Sequence, residues 1–174
     1  YEEIGLKPFF GDWFHYFAPG GENSSIGAKY VDVVGVIEGS DPKLKNEYIV
    51  LGAHFDHLGV RKGKVYNGAD DNASGSAALI EVARELYARR DSLKRSVIIA
   101  AFDAEELGLW GSKALADTLV KAVGQDRIKL MMSLDMVGWY TASGKLRLEG
   151  AATIKDGQRI LTEEANKLSI VVDP

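Results

Sequence analysis

Two stretches decide the fold: Tyr48-Ile49-Val50-Leu51-Gly52-Ala53-His54-Phe55-Asp56-His57 and Val97-Ile98-Ile99-Ala100-Ala101-Phe102-Asp103-Ala104-Glu105-Glu106. Each opens as a short continuous apolar run and then breaks into titratable groups. Runs of this length suit strands buried on both faces. Between them, Leu79, Val82, Ala83 and Leu86 recur at i, i+3, i+4 and i+7, with Glu81, Arg84, Glu85 and Arg89 on the other side. That spacing predicts an amphipathic helix, whose start Asn72 or Ser74 could cap.

Working outward, Tyr30 to Ile37 is rich in Val and reads as a strand, closed by the turn residues Gly39-Ser40-Asp41-Pro42. A shorter helix is expected over Ser112 to Lys121, a strand near Ile128 to Leu134, another over Lys145 to Leu148, and a final helix marked by Leu161, Ala165 and Leu168. Strand and helix alternate from about residue 48, which predicts an α/β sandwich with a largely parallel sheet. Upstream, residues 7–18 are crowded with aromatics, and His15 among them reads as a packed histidine. Pro19 to Ser25 reads as a loop, and Tyr1 to Leu6 as the end of a helix that starts upstream.

At 174 residues, one domain is expected over residues 1–174. Hydrophobic residues make up 46% and charged residues 26%, which argues against disorder and low-complexity architectures. Net charge is −4 with no basic stripe, so nucleic acid is not an expected partner. No apolar run approaches the roughly 20 residues of a membrane span. With no cysteine, a metal must sit on His, Asp or Glu.

Three apolar runs end in such groups: His54, Asp56 and His57 after the first, Asp103, Glu105 and Glu106 after the second, and Asp135 after Met131-Met132-Ser133-Leu134. Ligands of open α/β sheets bind beyond the carboxyl ends of strands, so these groups are expected to converge. The loop Gly68-Ala69-Asp70-Asp71-Asn72-Ala73-Ser74-Gly75 adds two more carboxylates. Taken singly, an Asp before a helix is usually a cap and a Glu pair after a strand a solvated turn. Clustered negative charge is costly unless a cation neutralises it, and His with carboxylates but no thiolate suits zinc or a similar divalent metal.

The ordered set Gly-Ala-His54-Phe-Asp56-His57, Gly-Ala-Asp70-Asp71-Asn-Ala-Ser-Gly, Asp-Ala-Glu105-Glu106-Leu-Gly and Ser-Leu-Asp135-Met resembles the family-28 metallopeptidases. These co-catalytic zinc aminopeptidases include bacterial leucyl aminopeptidases and aminopeptidase Y. The resemblance runs from about Val31 to Gly138 and implies a three-layer α/β/α sandwich with a mixed sheet. It implies peptide substrates, two zinc ions and removal of N-terminal residues. By the resemblance, Asp70 bridges the two metals, His54 and Asp135 complete one ligand set, and Glu106 binds the other zinc. Glu105 resembles the general base, and Asp56 the carboxylate that orients the His54 imidazole. A turn at Leu107-Gly108 is expected to let both glutamates face the site.

In the family a final histidine well downstream of the Asp135 motif completes the second zinc site, whereas this chain has only His15, His54 and His57. Either the chain is a fragment truncated at both ends, which is the favoured expectation, or the second metal is bound poorly. An extracellular or periplasmic location is expected, as for many relatives. Two other enzymes share parts of the pattern. Carboxypeptidases and deacylases of the related two-zinc clan use His-x-Asp and Glu-Glu, but the Asp70-Asp71 motif favours the aminopeptidase branch. Retention of His54 with Asp70, Glu106 and Asp135 disfavours the single-zinc glutaminyl cyclases. The non-enzyme alternative is a binding module descended from a peptidase, as in transferrin-receptor-like proteins.

Overall fold

The computed structural model describes residues 1–18 and 30–173, so the loop expected over Pro19 to Ser25 lies outside the described residues. The described residues divide into two compact units, Tyr1–Met136 and Val137–Pro174.

The first unit is built on a six-stranded sheet. Its strands are β1 (Lys7–Pro8), β2 (Phe14–Phe17), β3 (Tyr30–Ile37), β4 (Tyr48–His54), β7 (Ser96–Phe102) and β8 (Ile128–Ser133). The order is β1-β3-β7-β4-β8, with β2 also pairing β3. β4 runs parallel to both β7 and β8, while β1, β2 and β7 pair antiparallel with β3, so the sheet is mixed. A small antiparallel hairpin, β5 (Gly59–Arg61) and β6 (Lys64–Tyr66), stands apart from it.

Alternation along β7 explains the layers, because successive side chains of a strand point to opposite faces. Val97 and Ile99 pack with Leu79 and Ala83 of α1 (Gly75–Ala88), joined by Leu6, Ile37 and Ala53. Ile98, Ala100 and Phe102 pack on the other face with Leu115 and Leu119 of α2 (Trp110–Val123), joined by Val34 and Val50. One helix therefore covers each face, which is the expected α/β/α sandwich. Leu79 is only 1% exposed, and truncating such a side chain to Ala costs about 2–5 kcal/mol.

The strands expected from the apolar runs form over nearly the expected residues, and α2 extends two residues beyond its expected span at each end. The aromatic segment upstream forms the short strands β1 and β2, which the sequence reading left unassigned. Residues 2–4 form a single 3₁₀ turn that ends at Gly5, whose φ of 99° only glycine adopts readily.

The second unit holds α3 (Tyr140–Ser143), β9 (Leu146–Arg147), α4 (Gly157–Lys167) and β10 (Val172–Asp173). β9 and β10 pair in parallel, and the Val171 amide donates to the Tyr140 hydroxyl at 3.1 Å. The strand and helix expected there both form, the strand shortened to two residues. Among the described residues, no helix is long and apolar enough to cross a membrane.

Candidate metal centre

His54 ends β4, and its imidazole is almost fully buried. Nδ1 lies 3.1 Å from the Asp56 backbone carbonyl and 3.4 Å from the Asp56 carboxylate. Two acceptors on that side favour a proton on Nδ1, and in the neutral ring Nε2 then carries the lone pair. Nε2 is buried and makes no hydrogen bond. Yet Asp71 Oδ1 stands 3.2 Å from it, Asp135 Oδ1 3.5 Å and Glu105 Oε2 3.9 Å. A lone pair facing three carboxylates needs a positive charge between them. Burial opposes charge on the ring, but the Glu105, Asp135 and Asp56 carboxylates outweigh it and raise the His54 pKa above its ordinary value.

Among the described residues, His54, Asp71 and Asp135 offer ligand atoms that all lie within 4.8 Å of one another. Two ligands about 2.0–2.2 Å from a tetrahedral zinc stand roughly 3.3–3.6 Å apart. The separations of 3.2 Å and 3.5 Å from Nε2 are close to that value. The donor set, one imidazole and carboxylates, also fits zinc. The residues present therefore fit a divalent cation.

Asp70, expected at the centre of the site, is not in this group. Its Oδ1 accepts from the Ser74 hydroxyl at 3.1 Å, and the same hydroxyl lies 2.7 Å from the Asp70 carbonyl. Asp71 is the carboxylate of this loop that reaches His54. The loop, Ala69–Ser74, is an irregular turn in which Asp71 and Asn72 leave helical dihedrals. Residue types alone do not show which of the two adjacent aspartates stands beside His54.

Glu105 and Glu106 are held by a turn that opens at Ala104, three residues before the expected Leu107-Gly108. Ala104 adopts a left-handed φ of 55°, and the Asp103 carboxylate accepts from its amide at 2.8 Å. Gly108 and Leu109, both at positive φ, then donate to the Glu105 carbonyl. Asp56 grips the turn: its two oxygens accept from the amides of Glu105 at 3.0 Å and Glu106 at 3.1 Å. Asp56 thus joins the His54 ring to the backbone of both glutamates. Glu106 Oε1 is buried without a hydrogen-bond partner.

Burial raises the Glu105 pKa, reinforced by Asp135, Glu106 and Asp56 and opposed by His54. Burial likewise raises that of Glu106, with Asp71 the next contributor.

A second buried network supports the turn from behind. Asp32, with no exposed surface, accepts from the Asp103 amide at 3.0 Å and pairs with His15 Nδ1 at 3.0 Å. His15 Nε2 reaches the Thr118 hydroxyl at 3.0 Å. His15 is therefore a hydrogen-bonded packing residue, as its aromatic surroundings suggest.

The sandwich fold, with histidine and carboxylates gathered beyond parallel strand ends, defines the class. Residues 32–170 match Peptidase family M28, and the chain belongs to that family. It is 34% identical over 104 residues to Leucine aminopeptidase 1 of Sclerotinia sclerotiorum, covering 56% of this chain and 26% of that protein. Among solved structures, BSAP, a zinc aminopeptidase from Bacillus subtilis, superposes with a TM-score of 0.65 at 26% identity, covering 84% of this chain and 35% of that one. LapB from Legionella pneumophila gives 0.66 at 28% identity, covering 92% and 41%. The chain spans 13% to 35% of the length of the first curated relatives it matches.

Proposed function

We propose that this chain carries the metal centre of a zinc-dependent aminopeptidase that hydrolyses N-terminal residues from peptides. The observation that carries the reading is the buried His54 Nε2, without a hydrogen-bond partner, facing Asp71, Asp135 and Glu105 in a chain of Peptidase family M28. Within it, His54, Asp71 and Asp135 hold one metal. Asp71 takes the bridging role that the sequence motif suggests for Asp70, and Glu106, with its partnerless buried oxygen, holds a second. When bound, zinc supplies Lewis acidity toward the scissile carbonyl and acidifies water.

Glu105 does the proton work. Its raised pKa moves it toward the working pH, where a carboxylate can take a proton and later return it to the leaving amine. Asp56 holds His54 through Nδ1 and fixes the two glutamates through their amides, so the base and the ligands keep one geometry.

The test is zinc stoichiometry by elemental mass spectrometry after loading and desalting, on the wild type and on Asp71→Asn and Asp70→Asn. The expected result is bound zinc in the wild type, a marked loss in Asp71→Asn and retention in Asp70→Asn. The reverse order would assign the bridge to Asp70. Absence of zinc from the wild type would remove the metallopeptidase reading of this site. Turnover of aminoacyl-nitroanilides tests the substrate class.

A further inference from the structure

The three grouped ligands leave from different elements: His54 from the end of β4, Asp71 from the turn before α1, and Asp135 from the loop after β8. Three independent backbone segments do not hold a sub-ångström geometry unless something ties them. One side chain does so from the middle. Asn72, immediately after Asp71, has no exposed surface. Its Nδ2 donates to the Leu134 carbonyl at 2.9 Å, and its Oδ1 accepts from the Met136 amide at 3.2 Å and the Gly75 amide at 3.0 Å. Leu134 and Met136 flank Asp135. A single amide thus brackets one ligand on both sides while sitting next to another in sequence.

The same segment reaches the third ligand. The Ser76 hydroxyl donates to the His54 carbonyl at 2.8 Å, and the Leu134 amide donates to the Gly52 carbonyl at 2.8 Å, two residues before His54. The helix start is packed onto this frame so closely that a Cβ at Gly75 would collide with Asn72 Oδ1 and the Leu134 carbonyl. The chemistry of position 72 is demanding: it needs one donor and an acceptor that takes two amides. A carboxylate supplies the acceptor but turns an oxygen toward the Leu134 carbonyl. Alanine supplies neither and leaves three buried backbone groups to find other partners.

We propose that Asn72 is the positioning residue that sets the Asp71–Asp135 separation, and so the metal affinity of the His54 site. The inference rests on the metal reading of that site. Zinc affinity is measured by competition with a chromophoric chelator on the full chain, for wild type, Asn72→Ala, Asn72→Asp and Leu79→Ala. Leu79 lies in the core on α1 and its aliphatic side chain makes no hydrogen bond, so its variant reports what lost core packing does to affinity with every hydrogen-bonding group of the site kept.

Asn72→Ala is expected to lower zinc affinity about 10–100-fold, the range typical for residues that orient metal ligands, while Leu79→Ala stays near wild type. Asn72→Asp, which keeps the double acceptor, is expected to fall between them, and it carries the test alone if Asn72→Ala does not fold. Wild-type affinity in both Asn72 variants, or an equal loss in Leu79→Ala, would overturn the inference while leaving the metal site standing. A wild type that binds no zinc would overturn the metal reading and this inference with it.

Discussion

Replacing Asp56 by asparagine tests whether one carboxylate holds the glutamate turn. The change is nearly isosteric, yet the structure makes it severe. Both oxygens of Asp56 accept backbone amides, from Glu105 and Glu106, and the side chain is only 17% exposed. Asparagine keeps one acceptor and turns an NH2 group toward the other amide, setting donor against donor. One charge-assisted bond is lost, at about 1.5–3 kcal/mol, and the other becomes neutral and weaker, so the net cost is roughly 2–3 kcal/mol. For a chain of this size that corresponds to a fall in Tm of roughly 5–10 °C.

Calorimetry of wild type, Asp56→Asn and the exposed control Asp117→Asn measures it directly, and the control is expected to stay within about 0.5 kcal/mol of wild type. Hydrogen exchange at the Glu105 and Glu106 amides adds a local readout and should accelerate in Asp56→Asn beyond the change in global stability. A Tm within about 1 °C of wild type, with protected amides, would refute the reasoning: the turn would then be held by Asp103 and its own carbonyls, without Asp56.

Three further outcomes follow from the same geometry. Gly75→Ala drives a methyl into Asn72 Oδ1 and the Leu134 carbonyl, and should lower the urea midpoint by an amount equivalent to about 1–3 kcal/mol; an unchanged midpoint would show that the helix start can shift. Glu105→Gln should reduce kcat by about 10²–10⁴ while zinc content stays at the wild-type level, and unaltered turnover would remove Glu105 as the base. Burial raises the Asp32 pKa against the hydrogen bonds from His15 and the Asp103 amide. The folded state then holds that proton more tightly than the unfolded chain, so this group's contribution is full below about pH 4 and is lost as pH rises through the folded value. The stability of wild type relative to Asp32→Asn should therefore fall as pH rises from about 4, and a flat or rising difference would contradict the shift.

The architecture was legible because β4 and β7 are buried on both faces and so announce themselves as continuous apolar runs, whereas β8, at the sheet edge, alternates half-buried and exposed residues. α1 was legible for the complementary reason, a periodic apolar stripe opposite charged residues. β1 and β2 were not, because two and four residues are too short to carry a period that distinguishes strand from packed loop; their partner β3 supplies the order. At the site, residue types located the elements but not the orientation of adjacent side chains. Asp70 and Asp71 are chemically identical neighbours, and nothing in their type shows that Asp71 is the one beside His54. Asn72 was visible as a helix cap, and it does accept the Gly75 amide. Its grip on the Asp135 loop, 62 to 64 residues away, has no trace in local sequence.

Register carries the remaining step from fold to site. β4 lies between β7 and β8, so the ends of three parallel strands stand side by side at the spacing of one sheet. His54 pairs with Phe102, which puts the Asp103–Glu106 turn immediately beyond it on one side. On the other side Tyr48 pairs with Ile128 but Ile49 pairs with Leu130, so Lys129 is an extra residue in β8. From there the pairing continues in step to Gly52 with Ser133, and extending it two residues sets His54 opposite Asp135. Were Lys129 paired in register with Ile49 instead of bulging, every later partner would move by one and the position opposite His54 would fall to Leu134. The irregularity at Lys129, some distance from the centre and carrying no chemistry of its own, is thus what lets an aspartate rather than a leucine meet the histidine.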